Sequence, residues 1–343
     1  MKINDIMKHK TSKIAVVIPN YNDLKYLKNC LKSIEKAKFD DLNVIIVDNG
    51  SDEETIRYLN DKVSKNPNHE TKQLKRLKYH LISNKKNLGF SKAVNQGIEY
   101  SNILNIEYIC LLNNDLEIDE NYFIKILEAI ENDDTIFSVS SKMIRYYERD
   151  IIDDAGDEYT ILGWTHKNGD GKEINKFNKI YEVFSSCGGA AIYRKDILDK
   201  IGYFDEDYFI YLEDIDLGYR SQIYGYKNVF CPCAKVYHIV SGASGGKYNE
   251  FKAEIAARNN IYLIHKNMPW PQIVLNIGFL TVGFFIKYLF FIKKGYGNLY
   301  LNGLKKGIIK SKKIKKIKFN KSNLLNYFKI EYKLIINCFK LLK

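Results

Sequence analysis

The sequence lacks the features that mark several classes of protein. Its six cysteines are scattered, and Cys231-Pro-Cys233 has neither the spacing of a zinc knuckle nor a second pair to complete one. We therefore expect reduced thiols in an intracellular protein. No secretory signal is recognised, because the polar segment 1–13 is followed at once by a strand-like run. These absences argue against a zinc-finger protein and against a disulfide-stabilised secreted one.

Acidic residues and arginine are almost missing from one end of the chain. From Leu304 to Lys343 there are 13 lysines, no arginine and one acid, Glu331, so this segment carries the whole net charge of +12. A neutral globule with a basic tail fits an anionic membrane surface at least as well as nucleic acid. We expect contact with anionic lipid, and no sequence-specific nucleic acid as a partner.

The rest of the composition is that of a globular protein. Of the 343 residues, 45% are hydrophobic and 13% aromatic, which is too apolar for a disordered chain. The length suffices for one large α/β domain with an appendage.

Apolar runs alternate with helical patterns in the first half. Strands are predicted at 13–19, 42–48, 77–83 and 108–115, and helices from Leu24 to Ile34, capped by Asn22 or Asp23, and at 90–101. Near-continuous apolar strands separated by helices predict a parallel sheet covered on both faces. Ligands bind such sheets beyond the carboxyl ends of the strands.

The second half has a different pattern. Four glycines among polar residues predict a hairpin or long loop at 153–180. A strand, a turn and a helix are predicted at 185–202, and a closing strand at 229–240. Between them lies a dense acidic and aromatic segment at 204–220.

Polar residues follow several of the predicted strands. Asp48 could accept a hydrogen bond from a pyrimidine N–H, and the segment Asn87–Asn95 offers glycine and amides to ribose or phosphate. Asp115 is suited to a divalent cation that bridges two phosphates. Each residue alone could be a turn residue or a helix cap, but their recurrence at successive strand ends favours a nucleotide site.

Six segments follow one another along the chain: VVIPNYN (16–22), IIVDNGSDE (45–53), NLGFSKAVNQGI (87–98), LLNNDLEI (111–118), 187–220 and the histidine of VYHIV (236–240). In composition and order they resemble the family 2 glycosyltransferases with the GT-A fold, particularly the rhamnosyltransferase-like branch that builds bacterial or archaeal surface polysaccharides. The resemblance implies a GT-A nucleotide-diphospho-sugar transferase fold, with a Rossmann-like, mostly parallel sheet, over residues 1–265. Residues 266–343 would form a helical, membrane-associating appendage.

The resemblance also implies a donor site with a divalent metal, Mg²⁺ or Mn²⁺. Asp115 would bind the metal and His238 would complete its coordination; a structural histidine is the alternative. Asn113 stands where the first aspartate of the family's Asp-x-Asp motif is often found, so one carboxylate is left. The residues implied to hold the donor nucleotide are Pro19, Tyr21, Asp48, Asn87, Gly89, Asn95 and Asn114.

Asp214 falls at the position where the family keeps its general base. Its neighbours Glu213 and Asp216 are also acidic, and motif position selects Asp214; an acidic, solvated helix start is the alternative. Gly188, Gly189, Glu213 and Trp164 are the expected contacts of the acceptor or the donor sugar, although the glycines could form an ordinary turn and Trp164 could belong to the core.

The carboxyl-terminal appendage contains the most apolar stretch, 271–292, interrupted by Asn276 and Lys287. It has nearly the length of a membrane span, but both flanks are expected on the cytoplasmic side, which predicts an interfacial or re-entrant helix. The tail predicts a basic amphipathic helix on anionic lipid or, alternatively, a helix packed on the catalytic domain. Its apolar face comprises Leu324, Leu325, Phe328, Tyr332, Ile335, Ile336, Phe339 and Leu342.

These features together predict an inverting transferase that moves a sugar, such as rhamnose or another hexose, from a UDP- or dTDP-sugar to a glycan or lipid-linked acceptor. We expect it in the cytoplasm, attached peripherally to the inner face of the cell membrane. The chain lacks the Gln-x-x-Arg-Trp signature of processive synthases and the Gly-x-Gly-x-Arg loop of sugar nucleotidyltransferases. The alternative is a catalytically inactive membrane or nucleic-acid adaptor with a glycosyltransferase-like fold.

Overall fold

The computed structural model describes residues 13–65, 77–239 and 248–341. The strands are β1 (Ile14–Asn20), β2 (Leu42–Asp48), β3 (Leu77–Ser83), β4 (Tyr108–Leu112), β5 (Leu116–Ile118), β6 (Ile136–Arg145), β7 (Ile152–Asp154), β8 (Asp157–Tyr159), β9 (Thr165–Lys167), β10 (Tyr181–Val183), β11 (Ala190–Arg194) and β12 (Lys227–His238). The helices are α1 (Leu24–Lys36), α2 (Glu53–Ser64), α3 (Phe90–Ser101), α4 (Tyr122–Glu131), α5 (Lys195–Ile201), α6 (Glu213–Ile223), α7 (Glu250–Asn267), α8 (Trp270–Lys293), α9 (Gly297–Ser311) and α10 (Leu324–Lys340).

A single large sheet organises the amino-terminal two thirds of the chain. Its strand order is β10-β12-β6-β11-β4-β1-β2-β3, with β5 on β12 and β7 on β6. The pairs β1–β2, β2–β3 and β1–β4 are parallel, which confirms the sheet predicted for the first half. Beyond β4 the sheet becomes mixed, because β11 runs antiparallel to both β4 and β6. The carboxyl ends of β1, β2 and β4 therefore meet at one edge.

Alternation along β1 divides the core between the two faces of the sheet. Ile14, Val16 and Ile18 pack on one side, with buried residues of α1 and α4. Ala15 and Val17 pack on the other side, with α3 and α5. Strands buried on both faces explain the near-continuous apolar runs of the sequence.

The segment 153–180 contains a small hairpin, as the glycine-rich pattern predicts. β8 and β9 form a separate antiparallel pair. Tyr159 of β8 is fully buried in a third cluster of apolar side chains, together with residues of α6, α7, α8 and α10. The hairpin thus joins the catalytic sheet to the carboxyl-terminal helices. Helix α7 (250–267) runs across the predicted domain boundary at 265, and that division stays a prediction.

Helix α8 is long and apolar enough to cross a membrane by length and composition. It contacts the rest of the chain through a line of buried residues, Gln272, Asn276, Leu280 and Gly283. Both Gln272 and Asn276 donate side-chain hydrogen bonds to Glu331 of α10, at 2.7 and 3.0 Å. The polar interruption predicted at Asn276 therefore faces protein, whereas most of the large apolar side chains of α8 face outward.

Helix α10 packs on the domain through residues that do not belong to the apolar face predicted for contact with lipid. Its buried residues are Tyr327, Ile330, Leu334 and Asn337. The predicted apolar face is exposed at each of its described members, Leu324, Leu325, Phe328, Tyr332, Ile335, Ile336 and Phe339. Leu342 lies outside the described residues. The helix thus contacts protein on one side and presents apolar side chains on the other.

Candidate active site

The ends of β1, β2 and β4 are joined by a buried polar network. The carboxylate of Asp48, which is fully buried, accepts hydrogen bonds from Asn20 Nδ2 at 2.9 Å and from the backbone N–H and hydroxyl of Ser51 at 3.1 and 2.5 Å. Asn114 Nδ2 donates to Asn20 Oδ1 at 2.8 Å. A carboxylate has about four acceptor positions, so three internal bonds leave one for a ligand N–H.

Two other predicted donor residues border this network. Pro19 is half-buried at the end of β1. Tyr21 follows it with 46% of its surface exposed. An exposed aromatic ring beside a buried carboxylate is a suitable surface for a planar base.

Asn87 belongs to a second set of amides, which holds the loop between β3 and α3. Its Oδ1 accepts from Asn49 Nδ2 at 3.0 Å and from the Gly89 N–H at 2.9 Å. Asn49 Oδ1 accepts from Asn84 Nδ2 and from the Leu88 N–H. Asn49 was not predicted as a site residue, although it lies in the quoted motif 45–53, whereas Asn20 lies within the stretch Pro19–Tyr21 that the resemblance assigns to the nucleotide.

Gly89 and Asn95 contact the acidic–aromatic segment. Gly89 has φ +92°, and a Cβ there would lie 2.5 Å from the Phe209 ring. Asn95 Nδ2 donates to the Phe204 carbonyl at 2.8 Å and its Oδ1 accepts from the Phe204 N–H at 3.1 Å. Both residues were expected to face the nucleotide. In this structure they hold the 204–209 segment against α3.

The segment that leads into α6 is held in a strained conformation. Phe209, Tyr211 and Leu212 all have positive φ, near +65°, +72° and +70°. The buried Asn259 of α7 donates to three carbonyls of this segment, those of Tyr208, Ile210 and Tyr211, at 2.8–3.0 Å. Strained backbone persists where the surroundings fix it and is concentrated at functional sites. Asn259 is thus a positioning residue for the start of α6.

Asp115 and His238 form the candidate metal pair. Asp115 Oδ2 lies 3.4 Å from His238 Nε2, and Asp115 Oδ1 is buried without a hydrogen-bond partner among the described residues. His238 Nδ1 lies 2.9 Å from Asp153 Oδ2, which fixes the orientation of the ring. One carboxylate oxygen in need of a partner, beside an oriented imidazole, is a donor set that suits Mn²⁺ or Mg²⁺.

The two carboxylates also set the charge of this imidazole. Burial alone would lower the pKa of His238, but hydrogen bonds to Asp115 and Asp153 outweigh it and raise the pKa to about 9. Without a metal, an imidazolium therefore supplies the positive charge between the two aspartates. Sequence analysis missed Asp153, which stands in the Asp-Asp pair at 153–154.

Asp214 lies at the first turn of α6, beside the Gly188–Gly189 turn. Its Oδ2 accepts from the Gly188 N–H at 3.2 Å and its Oδ1 from the Ile215 N–H at 2.8 Å. Burial raises the pKa of Asp214, and these backbone donors oppose the rise. The Gly189 carbonyl accepts from the Asn113 N–H at 2.8 Å, so the same turn contacts the strand end that carries Asp115.

The neighbouring acids of α6 differ from Asp214 in their surroundings. Asp216 is fully buried and bonded to Arg220, Lys266 and Asn267 at 2.8–2.9 Å. Lys266 and Arg220 lower the pKa of Asp216 in spite of its burial. Glu213 is 6% exposed, and burial followed by the nearby Asp214 raises its pKa well above the usual range. Asp216 is therefore a structural ion-pair centre, which leaves Asp214 as the candidate base.

A second group of potential metal ligands lies close by. Side-chain atoms of Asp154, Asp157 and Cys187 fall within 4.8 Å of one another. Lys167 already contributes a positive charge there, at 3.9 Å from Asp154 and 3.1 Å from Asp153. Burial raises the pKa of Asp154 to about 6 in spite of Lys167, so this carboxyl is partly protonated near neutrality. This cluster is therefore a second candidate for a divalent cation, and the motif position of Asp115 is what favours the pair Asp115 and His238.

Trp164 is held by the carboxyl-terminal helices. Its indole Nε1 donates to the Gly283 carbonyl of α8 at 2.9 Å. A Cβ on Gly283 would lie 2.0 Å from the Leu162 carbonyl oxygen, which shows how closely α8 approaches this turn. This hydrogen bond joins the hairpin to α8, and the contact of the half-buried Trp164 ring with a sugar stays a prediction.

The known proteins that this chain resembles in sequence include two sugar transferases. The low-salt glycan biosynthesis hexosyltransferase Agl10 of Haloferax volcanii is 27% identical over 215 residues, 61% of either chain. An N-acetylglucosaminyl-diphospho-decaprenol L-rhamnosyltransferase of Mycobacterium tuberculosis is 31% identical over 83 residues, 24% of this chain and 27% of that protein. The matches thus span less than two thirds of each curated relative.

Solved structures agree in fold. GalNAc-T7 with UDP, GalNAc and Mn²⁺ matches with a TM-score of 0.57 at 16% identity, covering 75% of this chain and 48% of that one. The mannosyltransferase PcManGT of Pyrobaculum calidifontis, with GDP-Man and Mn²⁺, matches with a TM-score of 0.53 at 12% identity, covering 88% and 87%. These likenesses confirm the GT-A glycosyltransferase fold. The family model described as "Glycosyl transferase family 2" matches residues 15–202, more than half of the sequence, and the chain belongs to that family.

Proposed function

We propose that this protein is an inverting, metal-dependent glycosyltransferase that uses a UDP- or dTDP-sugar and acts on a glycan or lipid-linked acceptor in the synthesis of cell-surface polysaccharide. One observation supports this most. The Gly188–Gly189 turn contacts both Asp214 and the strand end of Asp115. A carboxylate base and a cation-binding pair are thus next to the same turn, as a transfer between two substrates requires.

The chemistry assigns one role to Asp214. The acceptor hydroxyl oxygen forms a bond to the anomeric carbon while the bond from that carbon to the phosphate oxygen breaks on the opposite side. The hydroxyl proton passes to the Asp214 carboxylate, and the nucleoside diphosphate leaves. A positioned base contributes typically 10²- to 10⁴-fold to such a rate. The Gly188 and Ile215 N–H groups hold the Asp214 carboxylate in one orientation. The lone pairs of the carboxylate that they do not use can accept a hydrogen bond from the acceptor hydroxyl.

The metal would be held by Asp115 and His238, with Asp153 orienting the imidazole. When bound, a divalent cation offsets the charge that develops on the leaving diphosphate. Mn²⁺ is the first ion to test, because it accepts imidazole as well as carboxylate, and because the structures of GalNAc-T7 and PcManGT both contain it.

We also propose that the protein is attached to the cytoplasmic face of a membrane by α8 and α10. Their exposed apolar side chains include Trp270, Phe285, Leu325 and Phe328, each at least 58% exposed. The lysines that follow residue 304 supply positive charge for anionic lipid. Sedimentation of the full chain with vesicles tests this proposal. It predicts binding to vesicles that contain phosphatidylglycerol, and weak binding to phosphatidylcholine alone.

Calorimetric titration of UDP, dTDP and GDP, with and without Mn²⁺, tests the donor site. We expect Mn²⁺-dependent binding of UDP or dTDP that is lost in Asp115→Ala. The nucleotide that binds then names the sugar conjugates for an assay of transfer. Binding of GDP alone would overturn the choice of donor. Failure of all three nucleotides with folded protein would favour the inactive adaptor.

A further inference from the structure

A cavity of about 490 Å³ lies beside β6 and β12. It is lined by the loop and first turn of α4, by the 174–178 segment and by the middle of β12. Cavities that hold small molecules have volumes of about 300–1,000 Å³. None of the donor, metal or base residues described above lines it.

Two lysines lie next to each other in this cavity. Lys142 of β6 and Lys235 of β12 are register partners in parallel strands, so their side chains project from the same face. Like charges at directly opposed positions destabilise a sheet. Among the described residues, neither lysine forms an ion pair with a carboxylate. The arrangement therefore concentrates positive charge without a structural counter-charge.

Of the two lysines, Lys142 is the stronger indication of a binding site, because only 2% of its surface is exposed. Its ammonium donates to two neutral oxygens, the Ile174 carbonyl at 2.9 Å and Asn178 Oδ1 at 3.1 Å. Burial and the neighbouring Lys235 lower the pKa of Lys142. A buried charge without an ionic partner is costly and rare in purely structural positions.

Two residues of the Cys231-Pro-Cys233 motif form part of the cavity wall. The register between β12 and β6 breaks between Cys231 and Lys235, so the intervening residues leave the ladder. Such a bulge redirects side chains and is common beside functional sites. Pro232 and the exposed Cys233 line the cavity there.

Two other charged residues line the cavity, Lys125 and Asp119. Lys125, in the first turn of α4, lies 3.0 Å from Glu128, so its charge is largely balanced. Asp119 is the carboxylate that lines the cavity, and it accepts from the Asn121 N–H at 3.0 Å. Two lysines without carboxylate partners thus outnumber one acid, and amides of Asn175 and Asn178 are next to them.

We propose that this cavity binds a small molecule through a phosphate group held by Lys142 and Lys235. Lys235 precedes His238 by three positions on β12, so strand alternation directs the two side chains to opposite faces. The distance along the strand is about 10 Å. The site is therefore separate from the donor site, and the proposal does not depend on the transfer reaction.

Titration of the full-length protein with inorganic phosphate and with glycerol phosphate, in the presence of saturating UDP and Mn²⁺, tests the site. We expect saturable binding that Lys142→Met and Lys235→Met each weaken by roughly tenfold or more, because each removes a charge-assisted contact. The control Lys65→Met removes an exposed lysine of the catalytic domain and should leave phosphate affinity unchanged. Lys235 is only half-buried, so its variant keeps the test valid if Lys142→Met fails to fold.

Thiol modification gives a second readout, because Cys233 is the exposed cysteine at the cavity mouth. Phosphate should slow modification of Cys233 in the wild type and have no such effect in Lys235→Met. The proposal is overturned if neither phosphate compound binds at millimolar concentration, or if both lysine variants bind as the wild type does. It is also overturned if saturating UDP and Mn²⁺ abolish the binding, since the phosphate would then occupy the donor site. UDP binding measured in the same samples reports separately on the proposed function.

Discussion

The edge of the catalytic sheet and the carboxyl-terminal helices differ in which side chains they present. The sheet edge presents polar groups, whereas the helices present apolar ones. At the sheet edge, buried polar groups bond one another, as Asn20, Asp48 and Asn114 do. In α8, the polar residues Gln272 and Asn276 face inward to Glu331, and most of the large apolar side chains face outward. The first arrangement leaves polar groups at the strand ends, where we propose that the donor binds. The second leaves an apolar surface exposed, which we propose lies on lipid.

The two regions are physically joined at the hairpin of β8 and β9. Trp164 donates to the backbone of α8, and Asn337 of α10 donates to the Tyr159 carbonyl at 3.0 Å. Asp157, at the start of the same hairpin, belongs to the acidic cluster beside the candidate base. The surface proposed to meet lipid is thus fixed to the wall of the site proposed to meet the acceptor.

The largest expected effect comes from removing the base. Asp214→Asn should lower the transfer rate by 10²- to 10⁴-fold, because no group would accept the hydroxyl proton. Nucleotide affinity should change little, since Asp214 contacts the glycine turn and not the strand-end network. Rates and calorimetric titrations of the same preparation check both statements. A variant with wild-type turnover would contradict the assignment of Asp214.

The neighbouring Asp216 should affect stability instead. Asp216→Asn leaves Arg220 buried without its carboxylate and leaves Lys266 paired with Asp205 alone, and we expect a loss of about 3–5 kcal/mol in the free energy of unfolding. The folded-state pKa of Asp216 is lowered, so its contribution is present above the unfolded value of about 3.9 and is lost as pH falls through the folded pKa. Denaturant unfolding at several pH values measures this difference. Equal stability of the Asp214 and Asp216 variants would remove the distinction between them.

A smaller effect is expected from replacing Asp153, which contacts the candidate metal ligands Asp115 and His238 only through His238. Asp153→Asn should weaken Mn²⁺ affinity by roughly 10- to 100-fold, because it no longer holds the imidazole in one orientation and charge state. Titration of Mn²⁺ in the presence of saturating nucleotide measures the change. Asp199→Asn, which removes an acid paired with Lys195 elsewhere on the domain, is the control. Unchanged affinity in Asp153→Asn would show that His238 needs no such support.

The smallest effect concerns the outward apolar surface. Replacing Leu325 and Phe328 with serine should weaken binding to anionic vesicles by roughly tenfold, or about 1.4 kcal/mol. This is a fraction of the roughly 1.5–3 kcal/mol that each side chain contributes on full burial, because side chains at a membrane surface are only partly withdrawn from water. Unfolding should be unaffected, since these side chains are 72% and 65% exposed. The control Ile103→Ser changes a residue of the catalytic domain that is 74% exposed. Equal loss in the control would mean that the effect is not specific to α10.

The sequence predicted most of what depends on local pattern. The parallel strands, their polar ends and the helices with regular apolar spacing were visible, because burial on both faces imposes continuous apolar runs. Helices α2, α4, α7 and α9 and the long strand β6 were not predicted. In α9, Gly303 and Gly307 lower helix propensity. In the structure these glycines allow close packing on α7; a Cβ at Gly303 would lie 2.3 Å from the Glu254 carbonyl oxygen.

The residues with which each polar side chain forms hydrogen bonds could not be predicted from the sequence. Asn95, Gly89 and Trp164 have residue types that suit a ligand, yet the structure bonds or packs them against other segments of the chain. Asp153 and Asn259 act through residues far away in sequence, which no spacing rule reveals. The second apolar face of α10, by which it packs on the domain, was not predicted, and the lipid contact predicted for the exposed face stays a prediction.

The most direct test of the account is the position of Mn²⁺ in crystals of the protein grown with the nucleotide that binds. Anomalous scattering locates the ion independently of activity. We expect a single strong peak between Asp115 and His238, with both side chains as ligands and the diphosphate beside them. A peak at Asp154, Asp157 and Cys187, with none at Asp115, would contradict the assignment of the metal pair and of the donor site built around it.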